Sequence, residues 1–316
     1  MTHRRFFLCS ALTLCVSVPA LCAAVFLLLT SAVPDAFAQP APSAATADAT
    51  EAEHALWRVT SDEDTIHLMG SVHLLTEDAY PLAPPMQAAI DQAERVAFEV
   101  DLDSMQAMAP TMLQSGMYQS DSTLQQAVSD STYALLQTAV DTLQLPMAQI
   151  DRMRPWFASL TLTSVILQRS GYKTSLGLDM HVYKKAQERD LEVVGLETFQ
   201  EQLTLLASAS SADPDAYLRY TVENLDESLD QVDRIMSSWK SGNVEAVASV
   251  MNEGMDEFPQ MREQLLIQRN RNWIPDIETL MSGPEKTLVV VGAGHLVGEG
   301  SVVQMLEEKG YTVTQL

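Results

Sequence analysis

Residues 65–73 read TIHLMGSVH and residues 287–295 read TLVVVGAGH. Each begins as an apolar, strand-like run, stops on a glycine (Gly70, Gly292) and reaches a histidine three positions later (His73, His295). A helical pattern follows in both places. In an open α/β sheet, the loops at the carboxyl ends of the strands form the ligand crevice. Glycine at such a point permits a sharp turn and a close approach of backbone to a bound group. Both histidines therefore stand where a site would be built, although more than 200 positions separate them. A lone histidine in a turn is usually structural. Two in matching strand-end contexts carry more weight.

Around the first motif, Leu56–Thr60 and Thr65–Gly70 read as a hairpin about Ser61-Asp62-Glu63-Asp64, Pro81–Glu94 as a helix and Arg95–Val100 as a strand. Around the second, strand 287–291 leads through the Gly292–His295 turn to a helix at 299–309 and a strand at 311–314. Neither end has enough strands to be stable alone, so the two are expected to share one sheet. From Ser104 to about Ser282 the pattern is mostly helical, with stretches at 122–143, 154–169, 176–189, 198–208, 213–238, 244–253 and 257–281. One strand, Leu191–Leu196, interrupts it. The expected fold is α/β (α+β): a mixed β-sheet core from the N- and C-terminal segments, flanking helices, and a large helical insertion at about 104–285. No internal repeat of solenoid period is present.

The first 38 residues read as a targeting segment. His3, Arg4 and Arg5 form a short positive start, an apolar stretch runs from Phe6 to Val33, and Ala36-Phe37-Ala38 supplies a small-x-small cleavage pattern. The apolar run exceeds the roughly 7–15 residues of a signal h-region. It also reaches the length of about 20 residues that spans a bilayer, so a signal peptide and an uncleaved N-terminal anchor are both open readings. Residues 39–54 then form a flexible, Pro-containing leader before a domain at 55–316. The expected location is exported: periplasmic or cell-envelope, with membrane contact only through the N-terminal segment if it is retained. Cys9, Cys15 and Cys22 all lie in that segment, so the chain after residue 38 can form neither disulfides nor thiolate metal sites. With 42 acidic against 19 basic residues and a net charge of −23, no cluster of cations is present to bind a nucleic-acid backbone.

Glu99 lies in the apolar run Val96–Val100, at the end of the next strand. A buried carboxylate needs an arginine, a metal ion or a hydrogen-bond network. A structural salt bridge is one reading; a metal ligand or general base beside His73 and His295 is the other. Two histidines and one carboxylate suffice to hold a catalytic divalent ion (zinc, manganese or cobalt) with a position open for water. Such an ion lowers the pKa of its water towards about 7 and polarises a carbonyl, which is the chemistry of peptide or ester hydrolysis. Neither a His-Glu-x-x-His nor a Gly-x-Ser-x-Gly signature occurs. Glu197, just past the interior strand, is either a further ligand or base or merely the lead into a helix. Asp179 reads first as a helix cap. Arg269 lies in a polar helix, where a solvated face is the first reading and neutralisation of Glu99 the second. His54, His67 and His181 lack the glycine context and read as surface or packing residues.

With these residues together, the chain resembles the TraB/PrgY/GumN family, related to the Tiki membrane proteases. The matching pieces are Leu68–Leu75, Val96–Asp101, Gly177-Leu178-Asp179, Val194–Thr198 with Glu201-Gln202, Arg269-Asn270 and Val290–Gly298, in the family's order over about 55–316. The resemblance implies a site of His73, Glu99 and His295; in the hydrolase reading Glu197, at its strand end, assists them. It also implies metal-dependent peptidase activity on exported peptides or proteins, and an α/β core shared with erythromycin-esterase-like and haem-binding ChaN-like proteins. The alternative it carries is a non-enzymatic peptide- or haem-sequestering protein of the envelope. Glu307–Leu316 is short and polar, a departure from members with C-terminal transmembrane helices.

Overall fold

The computed structural model describes residues 53–61, 64–209, 213–255 and 259–316. The targeting segment at 1–38 and nearly all of the leader at 39–54 lie outside the described residues. Six strands form one sheet: β1 (Leu56–Thr60), β2 (Thr65–Ser71), β3 (Arg95–Val100), β4 (Glu192–Glu197), β5 (Thr287–Gly292) and β6 (Thr312–Gln315). Their order is β4-β3-β5-β2-β1-β6. β2, β5, β3 and β4 run parallel, whereas β1 lies antiparallel between β2 and β6.

The two ends of the chain do share this sheet, because β5 is inserted between β2 and β3. Their sequences suit that place. All six residues of β5 are buried, as are five of the six in β3, which is what a parallel strand covered by helices on both faces requires. β6, at the edge, has no fully buried residue, and its Thr-Val-Thr-Gln sequence alternates accordingly. The parallel arrangement has a consequence for the site: β2, β3, β4 and β5 all end on one side of the sheet. Ser71, Glu99, Glu197 and Gly292 are at or beside those ends.

The helical middle is one expected insertion but two observed ones. β4 pairs along β3 as the edge strand of the same sheet, so one helical excursion joins β3 to β4 and a second joins β4 to β5. Within the first, Leu102–Gly116 was not among the expected helices; Pro110 inside it obscures the period, while Asp101 caps its start by accepting from the Asp103 amide. The expected helix at 122–143 is broken in two, since Ser129 caps a new helix, Asp130–Thr142, through the Thr132 amide. Likewise 213–238 divides at Asn224 into Pro214–Glu223 and Leu225–Lys240.

Helix Pro155–Arg169 is buried almost all round, and its Thr161 and Thr163 hydroxyls turn back to the Phe157 and Ser159 carbonyls at 2.7 and 3.0 Å. It anchors the helical layer, packing on both Pro214–Glu223 and Leu225–Lys240. From the latter, buried Trp239 reaches across to the sheet and donates its indole N–H to the Gly70 carbonyl at 2.8 Å. Among the described residues no helix is long and apolar enough to cross a membrane.

Candidate functional site at the strand ends

His73 stands two residues past β2 and is 3% exposed. Its Nδ1 lies 2.6 Å from Asp179 Oδ2, while the Ser71 hydroxyl donates to Asp179 Oδ1 at 2.7 Å. Asp179 is brought there by backbone packing. Helix Leu178–Glu188 begins at Gly177, and the Leu178 amide donates to the Val72 carbonyl at 2.9 Å. A Cβ on Gly177 would lie 2.3 Å from the His73 carbonyl oxygen, so only glycine lets the helix start this close to the loop. Asp179 is thus more than the helix-capping residue expected from the sequence: it is 2% exposed and orients His73. A carboxylate on Nδ1 fixes that nitrogen as the N–H donor and leaves Nε2 as the basic nitrogen of the neutral ring.

His295 is fully buried in the short 3-10 turn Ala293–His295 after β5. Asn270 holds it: Nδ1 is 2.6 Å from Asn270 Oδ1, and the Asn270 amide group donates to the Gly300 carbonyl at 2.8 Å. That second bond settles which way the Asn270 amide faces, so His295 donates from Nδ1. Its Nε2 then accepts from Arg269 Nη1 at 3.0 Å. The imidazole also packs on Trp273, with ring centroids 4.5 Å apart. Burial, the Arg269 charge and the His73 ring together hold the His295 pKa well below 6.5, so it is neutral near pH 7.

The acids meet at Arg269. This residue is 5% exposed, not on a solvated face as its polar neighbours in sequence suggest. It follows a π-helical turn, Glu263–Ile267, and opens the helix Gln268–Met281. Nη2 donates to Glu99 Oε2 at 2.6 Å and to Glu197 Oε1 at 2.5 Å; Nε donates to Glu197 Oε2 at 3.0 Å; Nη1 also reaches the Leu265 carbonyl at 3.1 Å. The guanidinium lies 4.8 Å over the Trp273 ring. Buried Gln202 donates to both acids at 3.2 Å, and the Gly292 amide donates to Glu99 Oε1 at 2.8 Å. Burial pushes Glu197 above the usual carboxylate range even though Arg269 pulls the other way. Burial alone would depress Arg269, yet Glu99 and Glu197 outweigh it and hold the cation more firmly charged. Both shifts follow from two acids sharing one cation in a dry interior.

The structure therefore gathers the expected residues at one end of the sheet. Glu99 Oε1 and His295 Nε2 are 3.8 Å apart, and His73 lies close enough to His295 to lower its pKa. It does not arrange them as metal ligands. Among the described residues no group of three or more His, Cys, Asp or Glu is placed to hold an ion. The expected trio of His73, Glu99 and His295 is met instead by Asp179, Arg269 and Asn270. The donors present thus do not fit a divalent ion in this arrangement, because the Arg269 guanidinium already engages Glu99 Oε2, Glu197 and His295 Nε2. Sequence reading missed the roles of Ser71, Gln202, Asn270 and Trp273. Ser71, Gln202 and Asn270 lie within the stretches that carry the family resemblance, whereas Trp273 carries no local signal.

A mixed α/β sheet with two acid- or amide-oriented histidines and a buried Glu–Arg–Glu cluster at its parallel strand ends defines the class. Within that class, the chain belongs to the TraB/PrgY/gumN family, whose model matches residues 55–315. It is similar to the uncharacterised protein YbaP of Escherichia coli (strain K12), 22% identical over 256 residues, covering 76% of this chain and 87% of that one. The YbaP of Shigella flexneri matches to the same extent. A protein named metalloprotease TIKI homolog, from Amphimedon queenslandica, is 24% identical over 193 residues, covering 52% of this chain and 38% of the relative. No solved structure matches the chain.

Proposed function

We propose that the protein is a hydrolase of the cell envelope that cleaves peptide bonds in exported peptides or proteins. The observation that carries this reading is the buried Asp179–His73 pair at the strand ends, within electrostatic reach of His295. Membership of the family and similarity to the Amphimedon protein named a metalloprotease homolog support the hydrolase class. A histidine whose Nδ1 is held by a carboxylate is arranged for general-base work. In this reading Nε2 of His73 takes a proton from water as the oxygen adds to the peptide carbonyl. The same proton then passes to the leaving nitrogen, the C–N bond breaks, and a carboxylic acid and an amine are released, the acid then giving its proton to the amine. Glu99, Glu197 and Arg269 position the neighbouring strand ends and fix the field in which His73 works.

A groove of about 650 Å³ meets the network around His295 at Gly300 and has room for a peptide segment. It is lined by Ile267, Arg271, Ile274, Glu299 and Gln304, and its wall includes Gly300, whose carbonyl anchors Asn270. The test is cleavage of a peptide library by the full chain purified in detergent, compared with His73→Ala and Asp179→Asn. Loss of about 100-fold or more in kcat/KM for both variants, with KM little changed, is expected for a general base and its orienting acid. Equal turnover by wild type and His73→Ala would remove the reading.

A further inference from the structure

We infer that Arg269 is the resident cation of this site, standing where a divalent ion would have to sit, so that guanidinium and ion compete for one set of donors. Glu99 Oε2, Glu197 Oε1 and His295 Nε2 are three groups of the kinds that bind zinc or manganese. All three turn a lone pair to the same guanidinium, at 2.6, 2.5 and 3.0 Å. Further donors hold the same groups in place. The Gly292 amide takes Glu99 Oε1, Gln202 bridges both acids, and Asn270 holds the far side of the His295 ring so that it cannot swing to a new partner.

Arg269 is fixed as firmly as its partners. It is 5% exposed, lies over Trp273 and is tied to the Leu265 carbonyl of the π-helical turn before it. A planar five-donor fork suits this task, since it can serve two carboxylates and an imidazole at once. One guanidinium against two acids leaves an excess of negative charge, so an ion would still be attracted. Occupied lone pairs, rather than repulsion, are what hold it off. The inference concerns the cation at the site and stands whether or not the chain cleaves peptides.

The test uses the full chain, stripped with chelator, dialysed against Zn²⁺ or Mn²⁺, with metal counted per chain and thermal melting recorded with and without chelator. Wild type is expected to retain fewer than about a tenth of an ion per chain and to melt identically in both conditions. Arg269→Met is expected to take up about one ion per chain and to become chelator-sensitive, and Glu197→Gln added to it is expected to abolish the uptake. A wild-type protein that holds about one ion through dialysis, and loses it in His73→Ala or His295→Ala, would overturn the inference. So would a folded Arg269→Met that binds none. If Arg269→Met does not fold, the wild-type count and melting decide alone. Peptide turnover measured on the same samples separates the two readings: metal-free and active upholds both, while metal-free and inert upholds this inference and removes the hydrolase.

Discussion

His295 shows how one side chain ties this site to pH. In the unfolded chain it titrates near its ordinary 6.5; in the fold, burial, Arg269 and His73 hold it well below that. Above pH 6.5 both states are neutral and its contribution to stability is complete. As pH falls below that value the unfolded state takes up a proton that the folded state refuses, so stability is lost with a slope of up to about 1.4 kcal/mol per pH unit. Glu197 acts in the opposite sense. Its raised pKa makes its contribution fullest at low pH and smaller as pH rises through the folded value. Urea unfolding of wild type and His295→Gln from pH 7.5 down to pH 5 brings out the imidazole's share, because the variant lacks the group that takes up the proton. We expect the variant to have a flatter acid limb; parallel curves would mean that the buried imidazole charges without penalty. Gly177 makes the same point sterically. An alanine there would place a Cβ 2.3 Å from the His73 carbonyl oxygen, a backbone atom that cannot swing aside. Gly177→Ala is expected to destabilise by about 1–3 kcal/mol and to reduce peptide turnover by displacing Asp179 from His73. Equal melting and equal turnover would show that the helix start can retreat freely.

Elements carry the next level of control, through single bonds between the helical layer and the strand ends. Trp239, on helix Leu225–Lys240, donates to the Gly70 carbonyl at 2.8 Å from a site 5% exposed. Trp239→Phe keeps most of the apolar ring and deletes the donor, leaving a buried carbonyl short of a partner at about 1–3 kcal/mol. Hydrogen exchange should quicken at the end of β2 and in the loop to His73 more than in β6. Uniform quickening across the sheet would mean that the bond supports the whole fold and not the loop. How much of this was legible follows element by element. The paired strand–Gly–x–x–His runs were readable, since β-branched buried strands and glycine turns are written locally. Glu99 was readable too, because an acid inside an apolar strand demands a partner. The partner itself was not. Arg269 sits among Gln268, Asn270, Arg271 and Asn272, a composition that resembles a solvated face, and only the tertiary position of helix Gln268–Met281 buries it. β4 was likewise legible as a strand but not as the edge of the main sheet, since pairing with β3 depends on where a long helical excursion returns the chain.

At the scale of the whole molecule, the site is enclosed, so a substrate of the proposed hydrolase would reach it only through movement. His73, Glu99 and His295 are all at most 3% exposed. The space beside Asn270 and Gly294 measures about 10 Å³, no more than a single water would need. Besides the segment that carries Arg262, Leu266 and Asn270, two elements line it: helix Val244–Met255, whose Met251 side chain covers Gly294, and the loop after His295, which reaches Gly298 and Gly300 with positive φ. If peptides enter by separation of these elements, joining them covalently should stop turnover without touching the chemistry. The geometry permits such a join, because a Cβ built on Gly298 would lie 3.5 Å from the Ala248 Cβ, within the range that disulfides span. Cys9, Cys15 and Cys22 all precede the domain, so an introduced pair has no competing thiol inside it. Cysteine at position 298 must adopt φ near +77°, which costs about 1 kcal/mol or more and leaves the reduced double variant somewhat less stable than wild type. Ala248→Cys combined with Gly298→Cys is therefore expected to cleave peptides when reduced, to fall at least about tenfold in kcat/KM when oxidised, and to recover with dithiothreitol. Full activity in the oxidised form would place the entrance elsewhere, with the groove along Ile267 and Ile274 as the next surface to close.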